Sequence, residues 1–118
     1  MRAGACAVQV GTALLLADEA GTNPVHRAAL GDAGFTETVV TRAFSGRYAR
    51  GLVNDFTRRL DAVAPLGYPE VHHMTSPIRR AAVAAGDPDG TNLWAGTGFR
   101  SVRSVPVAEI VTELGASR

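Results

Sequence analysis

The sequence predicts an α/β fold, and three observations carry that prediction. Residues 5–10, Ala-Cys-Ala-Val-Gln-Val, are short, apolar and bounded by glycines, the pattern of a strand buried on both faces. Residues 36–44, Thr-Glu-Thr-Val-Val-Thr-Arg-Ala-Phe, are rich in β-branched side chains and read as a second strand. Around these two, apolar residues recur at helical spacing, so helix dominates the remainder.

In chain order, residues 14–16 either continue the first strand or open the next turn. A helix follows in Thr-Asn-Pro-Val-His-Arg-Ala-Ala-Leu-Gly: Thr22 or Asn23 caps it, Pro24 takes an early helical position, and Gly31 and Gly34 end it. After the second strand, Ser-Gly-Arg-Tyr-Ala-Arg-Gly is polar and reads as a loop. Over residues 52–64, Leu52, Val53, Phe56, Leu60 and Val63 fall at steps that put them on one helical face, and Pro65, Gly67 and Pro69 stop that helix. A short helical turn is expected over 70–74. Ser76 and Pro77 form a cap and first-position pair opening a separate helix through Ala85. Gly-Asp-Pro-Asp-Gly-Thr-Asn is a loop, and Pro106 starts a terminal helix ending near Gly115.

Composition narrows the possible functions. The 118 residues suffice for one small core, with 46% hydrophobic and 19% charged residues. A net charge of +1 draws neither nucleic acid nor an anionic membrane surface. Every basic residue is arginine, which removes lysine Schiff-base chemistry but leaves phosphate binding open. Cys6 is the single cysteine, so no intrachain disulfide forms, and within its apolar run it reads as a small core residue. No stretch reaches the roughly 20 apolar residues of a membrane span, and no secretory cleavage pattern follows the start. The expected location is the cytoplasm.

The chemistry concentrates at the end of the first strand. Gly11 lets a ligand approach the backbone with no Cβ in the way. The Gly11 and Thr12 amides, with the Thr12 hydroxyl, make a compact donor set suited to a phosphate. Other polar residues have plainer readings. His72 and His73 are adjacent, so on a helix they diverge, and no cysteine or carboxylate completes a metal site. His26 is an ordinary polar residue near a helix start. Arg47 and Arg50 tie their loop to carboxylates such as Asp55, Arg79 and Arg80 form a solvated helix face, and Trp94 is a packing anchor. Asp87 and Asp89 alternate with proline and glycine as turn residues. A lone buried strand cannot satisfy its own backbone, so further protein is expected to flank residues 5–10.

Four collinear blocks carry a family likeness: Ala-Val-Gln-Val-Gly-Thr-Ala-Leu-Leu-Leu-Ala-Asp-Glu-Ala-Gly from Ala7, Thr-Arg-Ala-Phe-Ser-Gly-Arg-Tyr-Ala-Arg-Gly from Thr41, the stretch from Ser76 to Phe99 that contains Leu-Trp-Ala-Gly-Thr-Gly, and the C-terminal helix. Together they resemble the nitronate monooxygenases, formerly the 2-nitropropane dioxygenase family. Two positions depart from that family's pattern. Tyr48 stands where proline is usual, removing a restraint on the loop, and Thr97 stands where glutamine is usual, leaving any contact of that glutamine in doubt.

The resemblance implies the C-terminal portion of a (β/α)8 TIM-barrel flavoprotein: its last barrel strand plus a mostly helical region. Residues 1–34 correspond to strand, phosphate loop and following helix, 35–92 to a helical insert, and 93–118 to the C-terminal segment. It implies FMN as cofactor, with Gln9, Val10, Gly11 and Thr12 matching the stretch that holds its phosphate, and Gly96 and Thr97 as weaker neighbours. The implied reaction is oxidation of alkyl nitronates by O2. A barrel takes about 250 residues. The family's catalytic histidine lies in a Gly-His segment upstream, and His26, His72 and His73 do not share its context. The chain is therefore expected to have little activity alone and to need an upstream barrel segment or a second chain. The alternative is a non-catalytic remnant or an interaction subunit completing a barrel supplied by another polypeptide.

Overall fold

The computed structural model describes residue 4 and residues 6–116. Its first departure from expectation is at the start. Residues 6–10 form no strand and are exposed, Val8 at 59% and Val10 at 37% (Ala5 lies outside the described residues). A strand exists only by pairing, and among the described residues no neighbouring segment is hydrogen-bonded to this one. Cys6 is exposed with it, not a core residue. The chain then tightens into a single 3₁₀ turn at Thr12–Leu14, in which the Leu14 amide donates to the Gly11 carbonyl at 3.0 Å.

Helix α1, Pro24–Gly31, forms as expected. The Asn23 side chain accepts from the His26 amide at 2.9 Å, and Pro24 occupies the first turn, where its missing N–H costs nothing. Strand β1 (Thr38–Thr41) pairs antiparallel with β2 (Ala49–Leu52), register Val39 opposite Gly51 and Val40 opposite Arg50. β2 occupies what reads in sequence as polar loop and helix start. The chain reverses before it at Gly46, whose φ of +77° suits glycine alone, and a Cβ there would fall 2.6 Å from the Gly67 backbone. Residues 93–95 extend the sheet: Leu52 N–H donates to the Leu93 carbonyl at 2.9 Å and Ala95 N–H to the Arg50 carbonyl at 3.1 Å.

Because β2 consumes Leu52, helix α2 begins later than its apolar spacing predicts, at Asp55–Leu60. Asn54 caps it reciprocally with Thr57, and its amide group also donates to the carbonyls of Pro88 (2.8 Å) and Thr91 (2.7 Å). The turn over 70–74 and the helix expected from Ser76 are in fact one helix, α3 (Glu70–Ala84), with Pro77 inside it. Proline in a helix interior removes one backbone bond and costs about 3 kcal/mol. Arg79 splints the junction: its guanidinium donates to the Thr75 hydroxyl at 3.1 Å and to the His72 carbonyl at 3.1 Å, on the far side of the proline. Thr75 in turn donates to the Phe44 carbonyl, anchoring the first half of α3 to the hairpin. Helix α4, Val107–Ala116, closes the described chain.

Two small apolar cores result. Ala29, Leu30, Leu52, Leu93, Ala95 and Phe99 form one, with Leu15, Leu16 and Phe35 at its edge. Ala43, Phe44, Phe56 and Ala64 form the other. Trp94 is the packing anchor expected of it, meeting Phe44 edge-on at 5.4 Å between centroids. No described helix is long and apolar enough to cross a membrane.

Candidate functional site

A cleft of about 490 Å³ opens where the Thr12–Leu14 turn meets α4 and the loop after Trp94. Gln9, Val10, Gly11 and Thr12 line it on one side, and Gly96 and Thr97 on the other. All six residues singled out in the sequence therefore face one space, although 84 positions separate Thr12 from Gly96. What joins the two sides is a hydrogen bond: the Gly96 amide donates to the Thr12 hydroxyl oxygen at 2.8 Å. Glycine at 96 permits that approach, since a Cβ there would lie 3.3 Å from Thr12 Oγ1.

The opposite wall is strapped down by side chains that sequence reasoning passed over. Arg27, on α1, donates to the carbonyls of Leu16 (3.0 Å) and Ala17 (3.2 Å) and to Ser104 Oγ (3.4 Å). Asp18 N–H donates to the Val105 carbonyl at 3.2 Å, and Val107 N–H to the Glu19 carboxylate at 2.9 Å. Arg100 bonds the carbonyls of Asp32 and Phe35. These bonds hold residues 16–19 and the end of α1 against residues 100–107, the segment whose residues 101–103 line the cleft. Their only sequence signal is an arginine on a helix face otherwise apolar.

Within the cleft the donors are backbone. Among the described residues, none accepts from the amides of Gly11, Thr12 or Ala13. No atom lies within 4 Å of the place a Gly11 Cβ would take, so that edge is open. Thr12 Oγ1 accepts from Gly96, which leaves its own proton to donate. The two charged side chains of the lining, Arg103 and Glu113, are paired with each other at 2.6 Å. The cleft can thus receive an oxyanion on fixed amide dipoles rather than on a bare cation.

The other candidates lie elsewhere. Arg50 donates to Thr38 Oγ1 at 3.0 Å and Arg47 sits over the Tyr68 ring, so neither reaches Asp55. Asp55 pairs instead with Arg58 and Arg59 from its own helix, where i,i+3 and i,i+4 spacing brings them close. Arg42 donates to the Tyr48 hydroxyl at 2.7 Å, so the tyrosine tethers the loop in place of a ring restraint. Asp87 and Asp89 do turn work: Asp87 accepts from the Asp89 amide at 2.9 Å, and Asp89 from the Asp55 amide at 3.0 Å. His72 meets Tyr68 and Arg79, and among the described residues no group of three His, Cys, Asp or Glu is arranged around a metal.

Two expectations fail here. Arg79 is no solvated face residue but is held by four protein contacts, and His26 is buried at 7% exposure. Burial pushes the His26 imidazole below its ordinary value, a shift partly offset by a ring hydrogen bond to the Trp94 backbone.

Comparison with known proteins bears on what the cleft serves. The family model for nitronate monooxygenase matches residues 1–117. The chain is 40% identical over 114 residues to the nitronate monooxygenase of Pseudomonas aeruginosa and 33% identical to a probable nitronate monooxygenase of Bacillus subtilis. Both alignments use 94% of this chain but only 32% and 33% of those proteins. A nitroalkane oxidase from Streptomyces ansochromogenes superimposes with a TM-score of 0.92 and 51% identity, over 98% of this chain and 33% of that one. The chain thus spans about a third of the length of its relatives, and its α/β fold is the corresponding part of theirs. With its whole described length matched by that model, the chain belongs to the nitronate monooxygenase family.

Proposed function

We propose that this chain serves a nitronate monooxygenase-type oxidoreductase, in which Gln9, Val10, Gly11 and Thr12 receive the phosphate of FMN. The observation that carries this reading is the set of three successive amides, at Gly11, Thr12 and Ala13, without an acceptor among the described residues, beside a hydroxyl with its proton to spare. The residues fit the group: phosphate needs several converging donors and close backbone approach, and the open Gly11 edge supplies both. Bound FMN supplies the two-electron chemistry that couples oxidation of an alkyl nitronate to reduction of O2.

The chain's own residues bind and orient. Thr12 holds Gly96, and with it the loop carrying Thr97, at a fixed distance from the amide set. Arg103 and Glu113 pair with each other at the cleft. A proton-accepting group and the remaining barrel strands come, on this reading, from polypeptide beyond these residues. The exposed Val8 and Val10 support that, because a segment with alternate apolar residues, and with backbone unpaired among the described residues, suits pairing with a neighbouring strand. The neighbour belongs either to the same polypeptide or to a second chain that this one completes. The division into residues 1–34, 35–92 and 93–118 follows, the first and last parts sharing the cleft. An exposed lone thiol at Cys6 suits a reducing compartment, and we infer a cytoplasmic location.

Phosphate-dependence of flavin binding tests the reading. FMN is expected to bind with its affinity lowered about tenfold by Thr12→Ala, the value of one charge-assisted hydrogen bond. Riboflavin, which lacks the phosphate, is expected to be indifferent to that change. Equal effects on both flavins, or none on either, would remove residues 9–12 from the phosphate site.

A further inference from the structure

A second cavity, of about 230 Å³, lies between α1 and α3 and shares no lining residue with the cleft. Asn23, His26, Ser76, Arg79, Arg80 and Asn92 line it. Two features make it more than a gap in packing.

The first is uncompensated positive charge. Arg79 and Arg80 are neighbours in sequence and on the cavity wall, and neither is paired with a carboxylate among the described residues. Arg79 is oriented by uncharged acceptors only: Asn92 Oδ1 at 2.9 Å, Thr75 Oγ1 at 3.1 Å, the His72 carbonyl at 3.1 Å and His72 Nδ1 at 3.1 Å. That fixes its guanidinium without neutralising it. Arg80 donates to no described residue, so its fork of five N–H groups is uncommitted. Burial and the charge of Arg80 together hold Arg79 below its ordinary value, the response of a cation with no counterion.

The second feature is an orphan ring nitrogen. His26 is 7% exposed, and its Nε2 is buried without a hydrogen-bond partner among the described residues. A buried polar atom left unmatched costs on the order of 1–3 kcal/mol, so such atoms are rare outside sites that something else completes. In either tautomer Nε2 therefore lacks a hydrogen-bond partner among the described residues.

We propose that this α1–α3 cavity binds a small phosphate-type oxyanion, inorganic phosphate or the terminal group of a phosphate monoester. The monohydrogen form supplies what the walls lack: negative oxygens for Arg79 and Arg80, with the Ser76 hydroxyl and the Asn23 and Asn92 amides beside them, and a P–OH group, able to donate or accept, for His26 Nε2. A carboxylate offers the oxygens without the donor. The site is independent of the flavin reading, because a different pair of segments builds it.

Residue-resolved NMR of the 118-residue chain, titrated with inorganic phosphate at constant ionic strength, tests the proposal. Signals of His26, Ser76 and Asn92 are expected to shift saturably, with acetate and chloride leaving them in place. Arg80→Gln, an exposed change that spares the fold, is expected to weaken this response about tenfold while any response at Gly11 and Thr12 persists. His26→Gln, whose amide keeps an acceptor, is expected to weaken it less. Glycerol phosphate added in a second arm distinguishes a monoester from the free ion. The proposal is overturned if the three signals stay put, if acetate moves them equally, or if Arg80→Gln leaves the affinity unchanged.

Discussion

Asn54 and Gly11 both lie where the chain passes from an extended stretch into a helical turn, yet their polar groups meet opposite fates. Asn54 is fully buried, and every polar atom of its side chain is spoken for: Oδ1 by the Thr57 amide, Nδ2 by two carbonyls of the 88–91 loop. The Gly11 edge is exposed, and its amides meet no acceptor among the described residues. A fold spends side chains on satisfying the backbone groups it buries, and leaves unsatisfied only those that water or a ligand will reach. Asn54 is therefore an element of stability, and Gly11 of recognition.

Substitutions can break or sharpen that contrast. Asn54→Ala removes three hydrogen bonds in a buried cap and is expected to cost about 3 kcal/mol in urea unfolding. A loss under about 1 kcal/mol would mean that these bonds do not hold the 88–91 loop to α2. Gly46→Ala comes next, at about 2 kcal/mol, since φ of +77° and the Gly67 backbone 2.6 Å away both oppose a side chain. Thr12→Ala, by contrast, gives up one half-exposed bond and is expected to cost about 1 kcal/mol of stability, while lowering FMN affinity about tenfold.

Smaller still is the pH effect of His26. Its imidazole titrates below the ordinary 6.5 when folded, so the unfolded chain takes up the proton first. Stability is then complete above pH 6.5, declines as the pH falls from there through the folded-state value, and levels off below it. In His26→Gln that decline should be absent from thermal melts between pH 7 and 5. Glu113→Gln should barely register, below about 1 kcal/mol, because the Arg103 pair is largely exposed.

Local chemistry was legible in the sequence wherever it acts alone. Asn23 before Pro24 marks the start of α1, and Pro106 marks that of α4, because a cap or a ring works within one turn. Pairing was not legible. The 5–10 run has strand composition, but residues 6–10 have no partner among the described residues, whereas Ala49–Leu52 looks polar and becomes β2 because Gly46 folds it back on β1. Pro77 reads as a helix start, yet α3 runs through it, with Arg79 reaching across the proline to the His72 carbonyl. For the cleft, the residue types at 9–12 and at 96 and 97 could be named in advance. The hydrogen bond from Gly96 to Thr12, which brings them to one space, could not. The α1–α3 cavity was hidden because a buried histidine and an unpaired arginine are properties of packing, not of composition.

The sharpest check follows the amide resonances of Gly11, Thr12 and Ala13 while FMN, and then riboflavin, is added to the chain. Downfield movement of these three amides with FMN alone is the predicted outcome, because the phosphate is what they receive. Unchanged amides with FMN, or identical movement with riboflavin, would contradict the assignment of this edge to the cofactor's phosphate.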